Sequence, residues 1–340
     1  MTHVSRQSGF VGVAMAVLLL IMLSVSAPCR AQTAAAQIKA ETTRLRQVLA
    51  ALKLSETETT SLTTQLNLID DAAQTGDLYF GLNVLQRGWV ELNTAEYARS
   101  KADVEKQGLA AFENEWLRVG QDLATKRRQL MPDAAVPAAV QALIESSLTQ
   151  VQPYYQSGRL YGRNTTIGAG LYYIGRAPAN LEFALFCQQL KFPESKTAPR
   201  LRSLDEQLEA LEAAAIKGFQ DPANESKQSS FIQINATLKM ARELNAEKRY
   251  AGALKCYLDA LLDFHVVNTP LPDESYRKVS KEYATALRAR LLAGKSDDSI
   301  GVLYLEMALA ARSDVGFKRA SAIIQQVLPT YLKFVGAIKS

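Results

Sequence analysis

The chain has 340 residues, a net charge of +5 and 48% hydrophobic residues, with 49 Ala and 45 Leu against 18 Gly and 11 Pro. That length allows one large domain or two ordinary ones, with ample apolar side chain for a core and too much for a solvated coil. The Ala and Leu content favours helices over a many-stranded sandwich, and two His and three Cys exclude most His- or Cys-built metal sites.

Residues 1–31 read as a secretory signal peptide. Arg6 supplies the positive charge, residues 10–25 are apolar and uncharged, and Pro28 with small neighbours leads to cleavage after Ala31. An uncleaved anchor is the alternative, since residues 9–27 are 19 in number and long enough to span a bilayer. Lipid attachment at Cys29 fits poorly, because Pro28 precedes it and no Leu stands three back. Cleavage takes Arg6 and Arg30 from the 39 basic residues and leaves 37 against 34 acidic ones. No basic block exceeds Lys126-Arg127-Arg128, so a nucleic acid is not an expected partner. The mature chain has no expected membrane span. Its two cysteines, Cys187 and Cys256, sit in apolar helical stretches, where buried free thiols are expected ahead of a disulfide.

Ile38, Leu45, Leu49 and Leu52 share a face of the first helix. Ser55 and Glu58 stand in capping-box spacing before a second, which carries Leu62, Leu66, Ile69 and Ala73. Gly76 ends it, and Asp77 is placed to cap a third that runs to about residue 93. Thr94 begins a long helix to about 129, closed by Met131-Pro132-Asp133. Pro137 suits the first turn of the next, which ends near Val151. Residues 152–178 are rich in Gly, Tyr and Arg. Helical period returns over 179–191, and Pro193 and Pro199 mark a break. Leu201, Leu204, Leu208, Leu211 and Ala215 form a three-four seam expected to pack within the domain. Helices follow at about 229–246, 249–266, 274–293 and 297–312. A last one, 315–336, carries Phe317, Ala320, Ile324, Val327 and Tyr331 on one stripe. The pattern is all-α, an array of antiparallel helix pairs: an N-terminal helical bundle over 32–195 and a C-terminal array over 196–340.

Within that array, Ala241 and Leu244 precede Tyr250, Ala253, Tyr257, Ala260 and Leu261 in a small-large order. Ala289, Leu292, Gly301, Leu305 and Ala308 repeat the order 48 residues later. Residues 237–262 therefore resemble a tetratricopeptide repeat, and the resemblance extends over at most 230–312. The 48-residue offset departs from that family's period of about 34. The residues 265–272, taken as a loop, supply part of the extra length. The resemblance implies stacked helix pairs whose concave face binds peptide or protein segments.

Chemistry is scarce. His265 is the one histidine left after cleavage, at a helix end. Cys187 and Cys256 lack an electropositive setting. The carboxylate pairs Asp70-Asp71, Glu113/Glu115, Asp205/Glu206 and Asp297-Asp298 fall on helix surfaces or ends, where caps and solvated faces are expected. Glu145-Ser146 and the segment Gly168-Ala169-Gly170-Leu171 resemble parts of lytic transglycosylases, at about twice the usual separation. Glu145 falls in an exposed-looking register. No phosphate loop, dinucleotide fingerprint or metalloprotease motif is present.

Residues 153–177 hold Gly-Arg three times among five tyrosines. Five glycines between Gly158 and Gly175 point to close helix packing or a special turn, because each costs a helix about 1 kcal/mol relative to Ala. Tyr and Arg also dominate binding hot spots. The candidate ligand-binding residues are Tyr154, Tyr155, Arg159, Tyr161, Arg163, Tyr172, Tyr173 and Arg176. Arg159 and Arg163 face one way on helical spacing, and Arg176 lies beyond a turn. The expected function is an exported, non-enzymatic interaction or scaffold protein of a bacterial cell envelope, without a cofactor, binding a protein or an anionic envelope polymer. Two alternatives stay open: a peptidoglycan-acting hydrolase that uses carboxylates, and a helical protein that binds a small ligand or lipid.

Overall fold

In the computed structural model the described residues are 33–131, 136–192, 201–268, 281–293, 296–311 and 314–336. The expected signal segment and cleavage site lie outside them, as do the expected breaks at 132–133 and 193–199 and the start of the helix expected from 274. The described chain is all-α. Its helices are α1 (Ala34–Ala51), α2 (Glu56–Thr75), α3 (Leu78–Ser100), α4 (Ala102–Gln107), α5 (Leu109–Arg127), α6 (Ala138–Asn164) and α7 (Ile167–Gln189). Then come α8 (Asp205–Gln220), α9 (Gln228–Ala246), α10 (Tyr250–Asn268), α11 (Lys281–Ala293), α12 (Ser299–Leu309), α13 (Asp314–Ala322) and α14 (Leu328–Phe334). A 3₁₀ turn, Pro222–Lys227, precedes α9, and a π turn, Ile323–Val327, joins α13 to α14.

Local signals set several ends. Ser55 Oγ accepts from the Glu58 N–H and Glu58 Oε2 accepts from the Ser55 N–H at 2.9 Å, completing the capping box. Gly76 ends α2 with φ of 82°, in the left-handed region that suits glycine. The expected long helix from Thr94 to 129 is divided instead. α3 continues to Ser100, and Gly108, at φ of 88°, turns the chain between α4 and α5. The reason is backbone freedom: apolar period alone does not register one glycine that takes a positive φ. The stretch read as a loop from 265 is likewise helical as far as Asn268.

Around α1–α3 a core forms from Ile38, Leu45, Leu66, Ile69, Leu85 and Leu92, joined by Phe183 of α7. The long antiparallel pair α6 and α7 is the central element. α3 and α5 pack on it from one side and α10 from the other. The largest core lies around α8–α14, and Ala138, Ala139 and Ala142 of α6 belong to it. The two halves therefore share α6. The leucine seam is buried against its neighbours at Leu204, Leu208, Leu211 and Ala215. Ala241, Leu244, Ala253, Tyr257 and Ala260 are buried at the α9–α10 pair, as are Gly301, Leu305 and Ala308 in α12. Ala289 and Leu292 face solvent, and α11 buries Ala284, Leu287 and Leu291 instead.

The helices are also tied by carboxylates, an amide and a hydroxyl that cap them from far along the chain. The Ala138 N–H donates to Asp297 Oδ2 at 2.7 Å, and the Ala139 N–H to Ser299 Oγ at 2.9 Å. The Leu204 N–H donates to Asn245 Oδ1 at 3.0 Å. The Phe80 N–H donates to Glu306 Oε2 at 2.9 Å, and the Gly252 N–H to Glu145 Oε2 at 2.6 Å. Each satisfies a donor that its own helix leaves unpaired, with an acceptor on the favourable side of the helix dipole.

Both described cysteines are free and buried. Burial pushes both thiols up, Cys256 to about 12. Reaction with a thiol-specific alkylating agent at pH 8 is therefore expected to be slow in the native protein and complete in 6 M guanidinium. Fast stoichiometric labelling of the native fold would contradict this placement.

Candidate functional site

The Gly-, Tyr- and Arg-rich segment is the tip of the α6–α7 hairpin. Thr166 caps α7 by accepting from the Ala169 N–H at 3.1 Å, so only Thr165 and Thr166 separate the two helices. The helices cross closely because glycines meet there. A Cβ on Gly170 would lie 2.5 Å from Gly162 Cα, and one on Gly158 would lie 2.7 Å from the Ile174 N. Phe112 of α5 is fully buried beneath the crossing, where its ring fills the space left by Gly162 and Gly170.

The candidate residues fall into two groups around this crossing. Tyr154, Tyr161, Tyr172, Tyr173 and Arg176 form one. Tyr161 stacks on Tyr173 at 4.4 Å and 6°, and Tyr172 meets Tyr173 edge-on at 5.8 Å. Tyr154 lies 6.3 Å from Tyr173. The Arg176 guanidinium sits 4.8 Å from the Tyr154 ring centroid and 5.5 Å from that of Tyr172, and its Nη1 donates to the Tyr172 hydroxyl at 2.7 Å. Its Nε is buried with no hydrogen-bond acceptor among the described residues. Tyr161 and Tyr172 are each 39% exposed, and neighbouring Leu160 is 60% exposed. The surface is thus aromatic, preassembled and topped by a cation.

Tyr155, Arg159 and Arg163 form the other group. Residues advance about 100° each around a helix, so Tyr154 and Tyr161 share a face while Arg159 lies roughly 140° away from Tyr154. Arg159 Nη2 pairs with Glu113 Oε2 at 3.0 Å, and Arg163 pairs with Glu113 Oε1. The Arg163 hydrogen bond foremost, with Arg159 adding, lowers the Glu113 pKa. Arg159 also lies over Trp116 at 4.2 Å, and Trp116 stacks on Tyr155 at 4.7 Å. The two latter residues exchange hydrogen bonds: Trp116 Nε1 donates to the Tyr155 carbonyl, and the Tyr155 hydroxyl to the Trp116 carbonyl. The three arginines do not converge. Two are clamped on a carboxylate, and only Arg176 joins the open aromatic surface. Glu113, expected only as a cap or a solvated carboxylate, and Trp116 lie some 40 to 50 residues earlier in the chain, and their pairing with these side chains was missed because no local pattern couples α5 to α6.

The other candidate groups serve the fold. Glu145 is 8% exposed, which corrects the exposed register expected for it. α6 is covered on two sides, so its helical period does not mark a wet face. Glu145 Oε1 accepts from Gln141 Nε2 at 2.8 Å while Oε2 accepts from Gly252, and burial raises its pKa. Asp70 pairs with Arg46 at 2.7 Å, Asp298 accepts from the Tyr331 hydroxyl at 3.1 Å, and Asp297 caps α6. Glu115 is buried among Tyr97, Lys101 and Arg118. The Arg118 hydrogen bond foremost holds its pKa down at about 2, against burial and with help from Tyr97 and Lys101. Burial lowers the His265 pKa. Among the described residues no three His, Cys, Asp or Glu are grouped to hold a metal ion, and no helix is long and apolar enough to cross a membrane. No protein-family model, curated protein or solved structure matches this chain.

Proposed function

We propose that this chain is an exported, non-enzymatic interaction protein of a bacterial cell envelope, and that it engages its partner through the tip of α6 and α7. The observation that carries this reading is the exposed stack of Tyr161 on Tyr173 beside Arg176. Stacked tyrosines offer apolar area with polar edges and lose little freedom on binding. The glycine crossing beneath them supplies rigidity, so little ordering is paid for when a partner docks. A protein partner fits better than a polyanion, because Arg159 and Arg163 already share Glu113. Export rests on residues 1–31 and is checked by N-terminal sequencing of the mature protein, with Gln32 expected first. The resemblance of 237–262 to tetratricopeptide helix pairs supports the same class of function.

Affinity capture from envelope extract tests the site. Tyr161→Ala/Tyr173→Ala is expected to lose at least tenfold in partner recovery while it keeps its helical circular dichroism. Arg159→Ala/Arg163→Ala is expected to retain the partner. Undiminished recovery by the folded tyrosine double variant would refute the tip as the docking surface.

A further inference from the structure

We propose a second binding site, a groove between the two halves of the molecule that takes the C-terminal carboxylate of a short apolar peptide. The groove encloses about 530 Å³. Pockets of about 300–1,000 Å³ hold ligands of drug or short-peptide size. One wall is a single stripe of α3, in which Phe80, Asn83, Val84 and Arg87 recur at steps of three, one and three. Leu68 of α2 lies beside it. Across the groove stand Met307 at the end of α12, Arg319 of α13 and Ile323.

The polar groups in this apolar setting are unspent. Asn83 is only 8% exposed, and its side-chain amide has no hydrogen-bond partner among the described residues. Gln65 Oε1 is sealed from solvent and also lacks a partner among the described residues. It lies beside Gly88 and out of a ligand's reach, whereas the Asn83 amide lines the groove and can exchange solvent for a ligand's amide. Arg87 has no ion-pair partner among the described residues. Arg319 uses Nη1 on Asp263 Oδ1 at 2.7 Å, and its other N–H groups have no partner among the described residues. Two guanidiniums against one carboxylate leave the described lining with one uncompensated positive charge, which one ligand carboxylate balances. Guanidinium forks suit that group in particular. A fatty acid would also satisfy the charge and the apolar walls. It has no amide to offer Asn83, and this favours a peptide.

Isothermal titration of the purified protein with N-acetyl-Leu-Ala-Leu tests the assignment. One saturable site is expected. The same peptide with a C-terminal amide is expected to bind at least tenfold more weakly. Arg87→Gln, at an exposed position, is expected to bind the acid at least tenfold more weakly with an unchanged melting temperature, and Asn83→Ala several-fold more weakly. Tyr161→Ala/Tyr173→Ala is expected to bind the peptide as wild type does, which separates this site from the hairpin tip. Equal binding of acid and amide, wild-type affinity in Arg87→Gln, or no saturable heat at millimolar peptide would overturn the proposal. Binding of decanoate in place of the peptide would overturn it too, and would make the groove an acyl-chain site.

Discussion

Gly170→Ala is expected to force α7 away from α6 and to lower stability by about 3 kcal/mol, the upper range for an overpacked contact. The added Cβ would meet Gly162 Cα at 2.5 Å, Phe112 Cζ at 2.7 Å and the Gly162 N at 2.8 Å. Two of those atoms are backbone, which cannot rotate aside as a flexible side chain can. The helix-propensity gain of Ala over Gly, about 1 kcal/mol, offsets only part of the strain. Gly88→Ala is the internal control. Its nearest neighbour would be Gln65 Oε1 at 3.6 Å, an ordinary contact, so the propensity gain should survive as up to about 1 kcal/mol of added stability. Urea unfolding of the two variants reads both values. A Gly170→Ala midpoint equal to wild type would mean that the helices cross less closely than these distances state. The tip should suffer with the crossing, because Tyr173 and Arg176 follow Gly170 by three and six residues on the same helix.

The helical class, the capping box, the leucine seam and the close crossing were legible because each is written in local spacing. Ser55 and Glu58 interact across three residues, and the five glycines of the hairpin lie within one stretch of chain. What sequence spacing does not contain is the partner from elsewhere. Arg159 and Arg163 look like free cations until α5 brings Glu113 to them. Glu145 looks exposed until α10 covers α6. Asp297 and Asp298 look like the cap of their own helix. Asp297 does accept from the Ser299 N–H at 3.0 Å, yet its other oxygen caps α6. The groove was hidden for the same reason, since it is assembled from α2, α3, α10, α12 and α13. The one hint in the sequence was Asn83, an amide beside apolar Leu82 and Val84. It does not stand out in a helix that also carries Asn93 and two glutamates.

Glu306 marks the most sensitive of these long-range joints. It is 1% exposed on α12. Its Oε2 accepts from the Phe80 N–H at the start of α3, and its Oε1 from Arg288 Nη2 at 3.0 Å. Arg288 Nη1 also donates to Asp77 Oδ1 at 2.9 Å. Burial pushes the Glu306 carboxyl up to about 8, against the pull of the Phe80 N–H and Arg288 and with added repulsion from Asp77. The folded state therefore holds a proton that the unfolded chain releases near its ordinary value of 4.5. This contribution is full below that value and is lost as pH rises through about 8. His265 acts in the opposite sense, since its lowered pKa favours the neutral folded form, and its effect fades as pH rises above its ordinary value of 6.5. Glu115, held near 2, changes only in acid. Between pH 7 and pH 8 the wild-type protein is therefore expected to lose about 1 kcal/mol of unfolding free energy. Glu306→Gln should abolish most of that slope, and an unchanged slope would assign it to another group. Glu306→Ala should cost about 2–3 kcal/mol at pH 7, because it leaves the Phe80 N–H and one arm of Arg288 without an acceptor in the interior. The loss would fall on the contact between α3 and α12, the two helices that hold the groove open. Peptide binding by Glu306→Ala should therefore weaken before the protein unfolds.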